Sequence, residues 1–396
     1  VAEPSDKDKV QAAADFVEKQ TPILKEAAEN SADASASTVA GADASASADA
    51  GASASGGLFD LNLIVYIFAF ASILSIFSGL SYIADLFCQF RVQLAVGQAF
   101  IALILAVRCK TRAGTKGPQL KLLVLTILTM ILNIVSVVCT TLAIPGVNQS
   151  ENEIVRTFNT VSPLPSQKLS QGGKNLTMVQ FNLENKNTEY KRFKEYISKL
   201  HPDIICLQEY TLAWEESLAE LKKSYPYVIS ATREDPFGIA IFSRHPMRHS
   251  QILSLGRAGL PSAYCQIEVD GKTVGILDTH PLPPFNASFY SMRNGQYSDI
   301  VDFIHKDDSS SFILAGDLNC APWSACFGEL VSRAHLRDTR IGFGLGQSWP
   351  TKPMLFMLKI PIDHVLTSRN IDTVERVVGE DLGSDHKPVY VELLAR

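Results

Sequence analysis

The chain is 396 residues long, 46% of them apolar, with a formal net charge of −5. That length allows two or three domains, and the charge, nearly balanced from Lys174 onward, supplies none of the excess positive charge on which nonspecific nucleic-acid binding depends. The cysteines show no CxxC and no Cys/His spacing, which argues against a structural zinc site.

Residues 1–57 are poor in large apolar side chains and end in a near-repeat of Ala, Ser, Asp and Gly from Ser31 to Gly57. Such a segment buries too little surface to offset its ordering entropy and is predicted to be disordered. Within it, Val10, Phe16, Val17, Ile23 and Leu24 predict a short, weakly amphipathic helix over Asp6 to Asn30, interrupted at Pro22 and read as solvated. The opening residues have neither the basic end nor the apolar core of a cleavable signal peptide. Either the true start is missing, or insertion relies on the chain's own membrane segments.

Three apolar stretches follow, Leu58 to Tyr82, Phe90 to Val107 and Leu120 to Val147. Each is long enough to cross about 30 Å of hydrocarbon as a helix, which predicts a three-helix transmembrane anchor over residues 58–147. The link between the second and third carries Arg108, Lys110, Arg112, Lys116 and Lys121, whereas the link between the first and second holds little beyond Asp85 and Arg91. The positive-inside bias then puts the basic link and the amino-terminal tail in the cytoplasm and everything after Val147 outside, in a plasma (inner) membrane. The near absence of ionisable groups in the spans argues for an anchor over a channel or transporter.

Residues 148–173 form a polar linker with Pro163, Pro165 and a Gly172-Gly173 pair. Residues 174–396 then alternate strand-like and helix-like runs. Strands are predicted at Leu176–Phe181, Asp203–Leu207, Gly238–Phe242, Ser262–Val269, Thr273–Asp278, Phe312–Ala315, Asp363–Leu366 and Val389–Leu393. Helices are predicted at Asn187–Leu200, with Tyr190, Phe193, Ile197 and Leu200 on one face, and at Ala213–Lys223. This order predicts an α+β or α/β sandwich with its loops gathered at one edge. Cys206 and Cys265 are read as buried thiols, and Cys320 and Cys326 as able to pair in an extracytoplasmic domain.

The polar signatures sit at strand ends. Glu209 emerges where Ile204-Ile205-Cys206-Leu207-Gln208 stops, offering the oxygen ligand that a hard cation prefers. Gly316-Asp317-Leu318-Asn319 ends the run from Phe312 in the same way, and His280 follows Asp278-Thr279. Ile362-Asp363-His364 opens one strand and Ser384-Asp385-His386 precedes the last. An aspartate that accepts from one imidazole nitrogen fixes the tautomer and raises the basicity of the other, which suits deprotonation of a water. Acyl transfer is disfavoured because no Gly-x-Ser-x-Gly elbow is present.

On these motifs, together with Phe181-Asn182, Phe237 to Arg244 and Ser348-Trp349-Pro350, residues 174–396 resemble the endonuclease/exonuclease/phosphatase superfamily. The resemblance implies a four-layered α/β/β/α sandwich and a metal-dependent hydrolase of phosphoric ester bonds. It implies Mg²⁺, with Mn²⁺ as an alternative, held by Glu209 with Asn182 and Asp385 close by. His386 would be the general base, oriented by Asp363; Asp317 and Asn319 would position the water and a phosphate oxygen; His280 would donate to the phosphoryl oxygens. His364 is expected to point to the opposite face as a structural residue, while Arg293 and Gln296 are read as either substrate contacts or surface residues. The Pro281-Leu282-Pro283-Pro284 loop and the spans are similar to those of glycopeptide-resistance membrane proteins of this superfamily, which act on undecaprenyl phosphates. The expected function is therefore membrane-anchored hydrolysis of a lipid phosphate or diphosphate. The alternatives are a tethered nuclease acting on nucleic acid and a degenerate domain that only binds; the latter is disfavoured by a complete set of polar positions.

Overall fold

The computed structural model describes residues 60–111, 116–142 and 175–395. The tail 1–57 with its helix over Asp6–Asn30, the linker 148–173 and Arg112 of the basic link lie outside the described residues.

Strands β1 (Asn175–Asn182), β2 (Ile204–Gln208), β3 (Tyr227–Ala231), β4 (Ile239–Ser243), β11 (Ile371–Val378) and β12 (Val389–Ala395) form one sheet in the order β11-β12-β1-β2-β4-β3. The second sheet runs β5-β6-β7-β8-β10-β9. Its strands are β5 (Arg248–Ser254), β6 (Pro261–Val269), β7 (Lys272–Thr279), β8 (Ser311–Asp317), β9 (Leu336–Asp338) and β10 (Asp363–Ser368). Pairing is antiparallel except for β1 with β2 and β7 with β8, which are parallel.

The two sheets pack face to face. Period-two alternation sends Leu176, Met178, Ile204, Cys206, Ile276, Ile313, Ala315 and Val365 into one core between them. The opposite residues, Val179, Phe181, Ile205 and Leu207, pack under Phe193 and Ile197 of α5 (Tyr190–Leu200) and Trp214 of α6 (Leu212–Ser217). Over the second sheet, Leu277, Phe312 and Leu314 meet Ile300 of α7 (Ala287–Lys306) and Phe327 and Leu330 of α8 (Ala325–Arg333). The predicted α/β/β/α layering is therefore present. The helix expected over Ala213–Lys223 divides into α6 and a 3-10 turn, Ala219–Lys223.

The amino-terminal half departs more from expectation. The run expected as one span, Leu58 to Tyr82, forms α1 (Leu61–Leu74) with a 3-10 turn to Phe77, breaks, and resumes as α2 (Tyr82–Gln89) bent by 114°. The hydroxyls of Ser72 and Ser75 bond back to the carbonyls of Phe68 and Ser72, loosening the ladder ahead of Gly79. Asp85 and Gln89, costly in hydrocarbon, instead face the carboxy-terminal domain. Helices α3 (Arg91–Thr111) and α4 (Lys116–Thr141) are each long and apolar enough to cross a membrane, and the bent pair raises the possible number to three. Amide and hydroxyl groups tie them together inside: Gln98 donates to Ser72 and Thr129, and Asn133 to Ser72 and Gln98.

Among the described residues, the helical part is bonded to the sandwich at one end only. The Ser78 carbonyl accepts from Tyr290 Oη (2.8 Å), Gln89 Oε1 from Ala321 N (2.6 Å), and the Thr141 carbonyl from Gly342 N (3.0 Å). Gln93, in the first turn of α3, donates to the Lys359 carbonyl at 2.7 Å.

Candidate active site

The alternation that builds the core also builds the site. Continuing the inward-facing rows of β1, β2, β7, β8 and β10 to one end of the sandwich places Gln180, Gln208, Asp278, Asp317 and Asp363 where apolar residues stop. Gly316, at φ 140°, lets β8 pass against β7: a Cβ there would lie 1.9 Å from the Thr279 carbonyl oxygen.

Asp363 Oδ2 accepts from His386 Nδ1 at 2.8 Å, leaving Nε2 to face Asp317 Oδ2 at 3.6 Å and Asp385 Oδ1 at 3.8 Å. His280 Nε2 approaches the same Asp317 oxygen from the other side, at 3.4 Å. Asn182 bridges: its amide donates to Asp317 Oδ2 and to Glu209 Oε1, both at 3.1 Å. Glu209 has left-handed backbone, φ 57°, which turns its carboxylate back toward β1, where Asn185 N donates to it at 2.8 Å. Asp385 lies on the opposite wall, its carboxylate taken by the Trp349 indole at 3.0 Å. Asn319 is at the rim, also with left-handed backbone, and its amide donates to the Pro281 carbonyl at 2.9 Å, fastening the His280 loop.

Charge is concentrated here. Burial opposes a proton on His386, but Asp363, Asp317 and Asp385 outweigh it and hold the imidazole well above its usual range. Burial likewise opposes charge on His280, and Asp317 and Glu209 raise it. Burial would raise Asp317, yet the two imidazoles bring it down to about 2. Glu209 is pushed up chiefly by burial, with Asp385 adding to it, while His280, the Asn185 N–H and His386 pull the other way. A half-buried carboxylate whose pKa burial raises, beside an amide and a second carboxylate, is a donor set that fits a hard divalent cation.

Arg376 escaped the sequence reading, which gave Gln180, Gln208 and Asp278 no role. Gln180 donates to Asp363 Oδ1 (3.0 Å) and to Gln208 Oε1 (2.7 Å), and Gln208 donates to Asp278 Oδ1 (2.5 Å). This buried relay orients Asp363; burial pushes the Asp278 carboxyl well up from its usual range. The available signal was polar residues at inward positions of otherwise apolar strands. Arg376, from β11, also reaches the site's support, donating to the Asp363 carbonyl at 3.1 Å.

Arg293 and Gln296 are neither at the surface nor in the cleft. Arg293 is fully buried against Asp85 at 2.9 Å and donates to the Asn319 carbonyl at 2.9 Å, while Gln296 donates to Thr279 at 3.1 Å. The Cys320 and Cys326 thiols are free, with their Sγ atoms 3.0 Å apart; the guanidinium of Arg293 is the cation between Cys326 and Asp85.

His364 points away from the cleft, as expected, onto Phe327, with Nε2 at 2.8 Å from the Cys320 carbonyl. Burial, only partly offset by Asp338, lowers it to about 4. Because the folded value lies below the unfolded one of roughly 6.5, its contribution is intact above that pH and is lost as pH falls toward 4. We expect that loss to reach about 3 kcal/mol. Thermal midpoints at pH 7 and pH 4.5 would check it: the drop should shrink in His364→Phe, and an equal drop would contradict the assignment.

A model of the "Endonuclease/Exonuclease/phosphatase family" matches residues 179–386. No curated protein matches the chain. Among solved structures, D. rerio TDP2 complexed with single strand DNA product is similar at 17% identity and TM-score 0.48, over 55% of this chain and 98% of that one. An endonuclease/exonuclease/phosphatase family protein from Bacteroides thetaiotaomicron is similar at 18% and 0.48, over 57% and 100%. The human Nocturnin catalytic domain with bound sulfate is similar at 16% and 0.46, over 56% and 95%.

Proposed function

We propose, because the chain belongs to the endonuclease/exonuclease/phosphatase family and is a hydrolase of phosphoester bonds, that it is a membrane-anchored enzyme cleaving the phosphate or diphosphate ester of a lipid with Mg²⁺ or Mn²⁺. The observation that carries the lipid reading is the bonding of Gln89, at the end of α2, to Ala321, two residues beyond Asn319 at the rim of the site. The cleft is thereby held where a bilayer substrate is effectively concentrated.

In this reading Leu61–Phe77, α3 and α4 make three crossings, and α2 lies along the interface. Leu61 and Val65 pack with Leu105 and Leu122, at the ends of α3 and α4 remote from the sandwich. Arg108 and Lys110 are at that remote end, so the positive-inside bias puts it in the cytoplasm and the catalytic domain outside, at the plasma (inner) membrane.

His386 takes the proton of the attacking water at Nε2, and Asp363 holds the Nδ1 proton and stabilises the imidazolium. Asp317 orients that water between the two imidazoles. His280 donates to the phosphoryl oxygens as negative charge builds; its Nδ1 is buried with no partner among the described residues. Glu209 and Asn182, with Asp385 across the cleft, would hold the cation, which supplies charge neutralisation at the phosphoryl group. Positive charge there would also oppose the proton on His386, tying the base's readiness to metal occupancy.

The test uses purified full-length protein in detergent with undecaprenyl diphosphate, sphingomyelin and plasmid DNA side by side. We expect phosphate or phosphocholine release from a lipid, reduced at least a hundredfold by EDTA and restored by Mg²⁺ or Mn²⁺. Nicked plasmid with intact lipids would instead make the chain a tethered nuclease.

A further inference from the structure

Among the described residues, the 3-10 segment Pro353–Leu358 leaves Met354 (91% exposed), Phe356 (65%), Met357 (60%) and Leu358 (43%) largely open to the outside. Four large apolar side chains exposed within five residues are more than an ordinary aqueous surface carries. At its root the segment is stitched to the site: Trp349 Nε1 donates to Asp385, Thr351 N to the Asp385 carbonyl (2.9 Å), and Thr351 Oγ1 to the Ser384 carbonyl (2.7 Å). At its far end the Lys359 carbonyl accepts from Gln93 of α3.

That last contact fixes depth. A helix of 21 residues such as α3 spans about 30 Å, the thickness of the hydrocarbon layer, so its first turn lies at the boundary with the headgroups. We propose that Met354–Leu358 is an interfacial loop inserted into the outer boundary of the same bilayer that α3 crosses, seating the mouth of the His386 cleft on the lipid headgroups. The inference rests on the membrane-anchored reading of α3. Lys352 and Lys359, which flank the loop, suit acidic headgroups, and the unbranched methionines adapt to a disordered apolar phase.

The test replaces Phe356, Phe100 or Lys191, one at a time, by p-benzoylphenylalanine in the full chain, reconstituted in phosphatidylcholine vesicles containing phosphatidylglycerol. Phe100 lies exposed on α3, and Lys191 is exposed on α5, over the other sheet. After irradiation, mass spectrometry should find lipid adducts at 356 and 100 at least tenfold above 191. Adducts at 100 but none above the 191 level at 356 would overturn the interfacial loop and leave the anchor standing. Adducts at neither would overturn the anchored reading and the loop with it.

Discussion

His386→Gln should lower phosphoester hydrolysis by about a thousandfold, inside the range of 10²–10⁴ typical of a removed general base. Glutamine keeps a polar group beside the buried Asp363, so the fold is spared the orphaned carboxylate that alanine would create. The loss should fall on kcat, because His386 acts on the water and not on substrate binding. Asp363→Asn should lower kcat too, since an amide supports neither the Nδ1 tautomer nor the imidazolium as the carboxylate does. Steady-state kinetics on whichever ester is cleaved would decide it. A loss below about tenfold in His386→Gln would remove His386 as the base.

Most of this centre could be read before the fold was known, because its residues sit where buried apolar strands stop. Glu209, Asp317 and Asp363 each follow or open such a run, and a two-residue repeat fixes which side they face. Gln180 and Asp278 lie inside those runs, where one sequence cannot separate a functional polar group from a tolerated one. Strands β3, β5, β9 and β11 were missed, and all four are edge strands: β5 is exposed along nearly its whole length, so no apolar alternation marks it. The break between α1 and α2 was hidden by continuous hydropathy. The serine hydroxyls loosen the helix locally, and contacts to residues more than 200 positions away hold the bent form, as Asp85 and Arg293 show.

Asp85 was read as a loop acid between two spans, and its surroundings predict one of the largest stability effects in the chain. Asp85 and Arg293 are 0% exposed and 2.9 Å apart, and Arg293 also holds the Asn319 carbonyl at 2.9 Å. Asp85→Ala strands a buried guanidinium, and we expect it to cost about 3–5 kcal/mol. The double replacement Asp85→Leu with Arg293→Met strands no charge and should recover most of that stability. It should not recover activity, because the Asn319 carbonyl has lost its donor and the loop that fastens Pro281 and His280 is freed. Denaturation in detergent and hydrolysis, measured on the same three proteins, separate the two effects. If Asp85→Ala cost under about 1 kcal/mol, the pair would be solvated and not buried. If the double variant kept full activity, the helical part would be mechanically independent of the site. The arrangement predicts the opposite: a carboxylate on α2 sets the position of a loop at the candidate site.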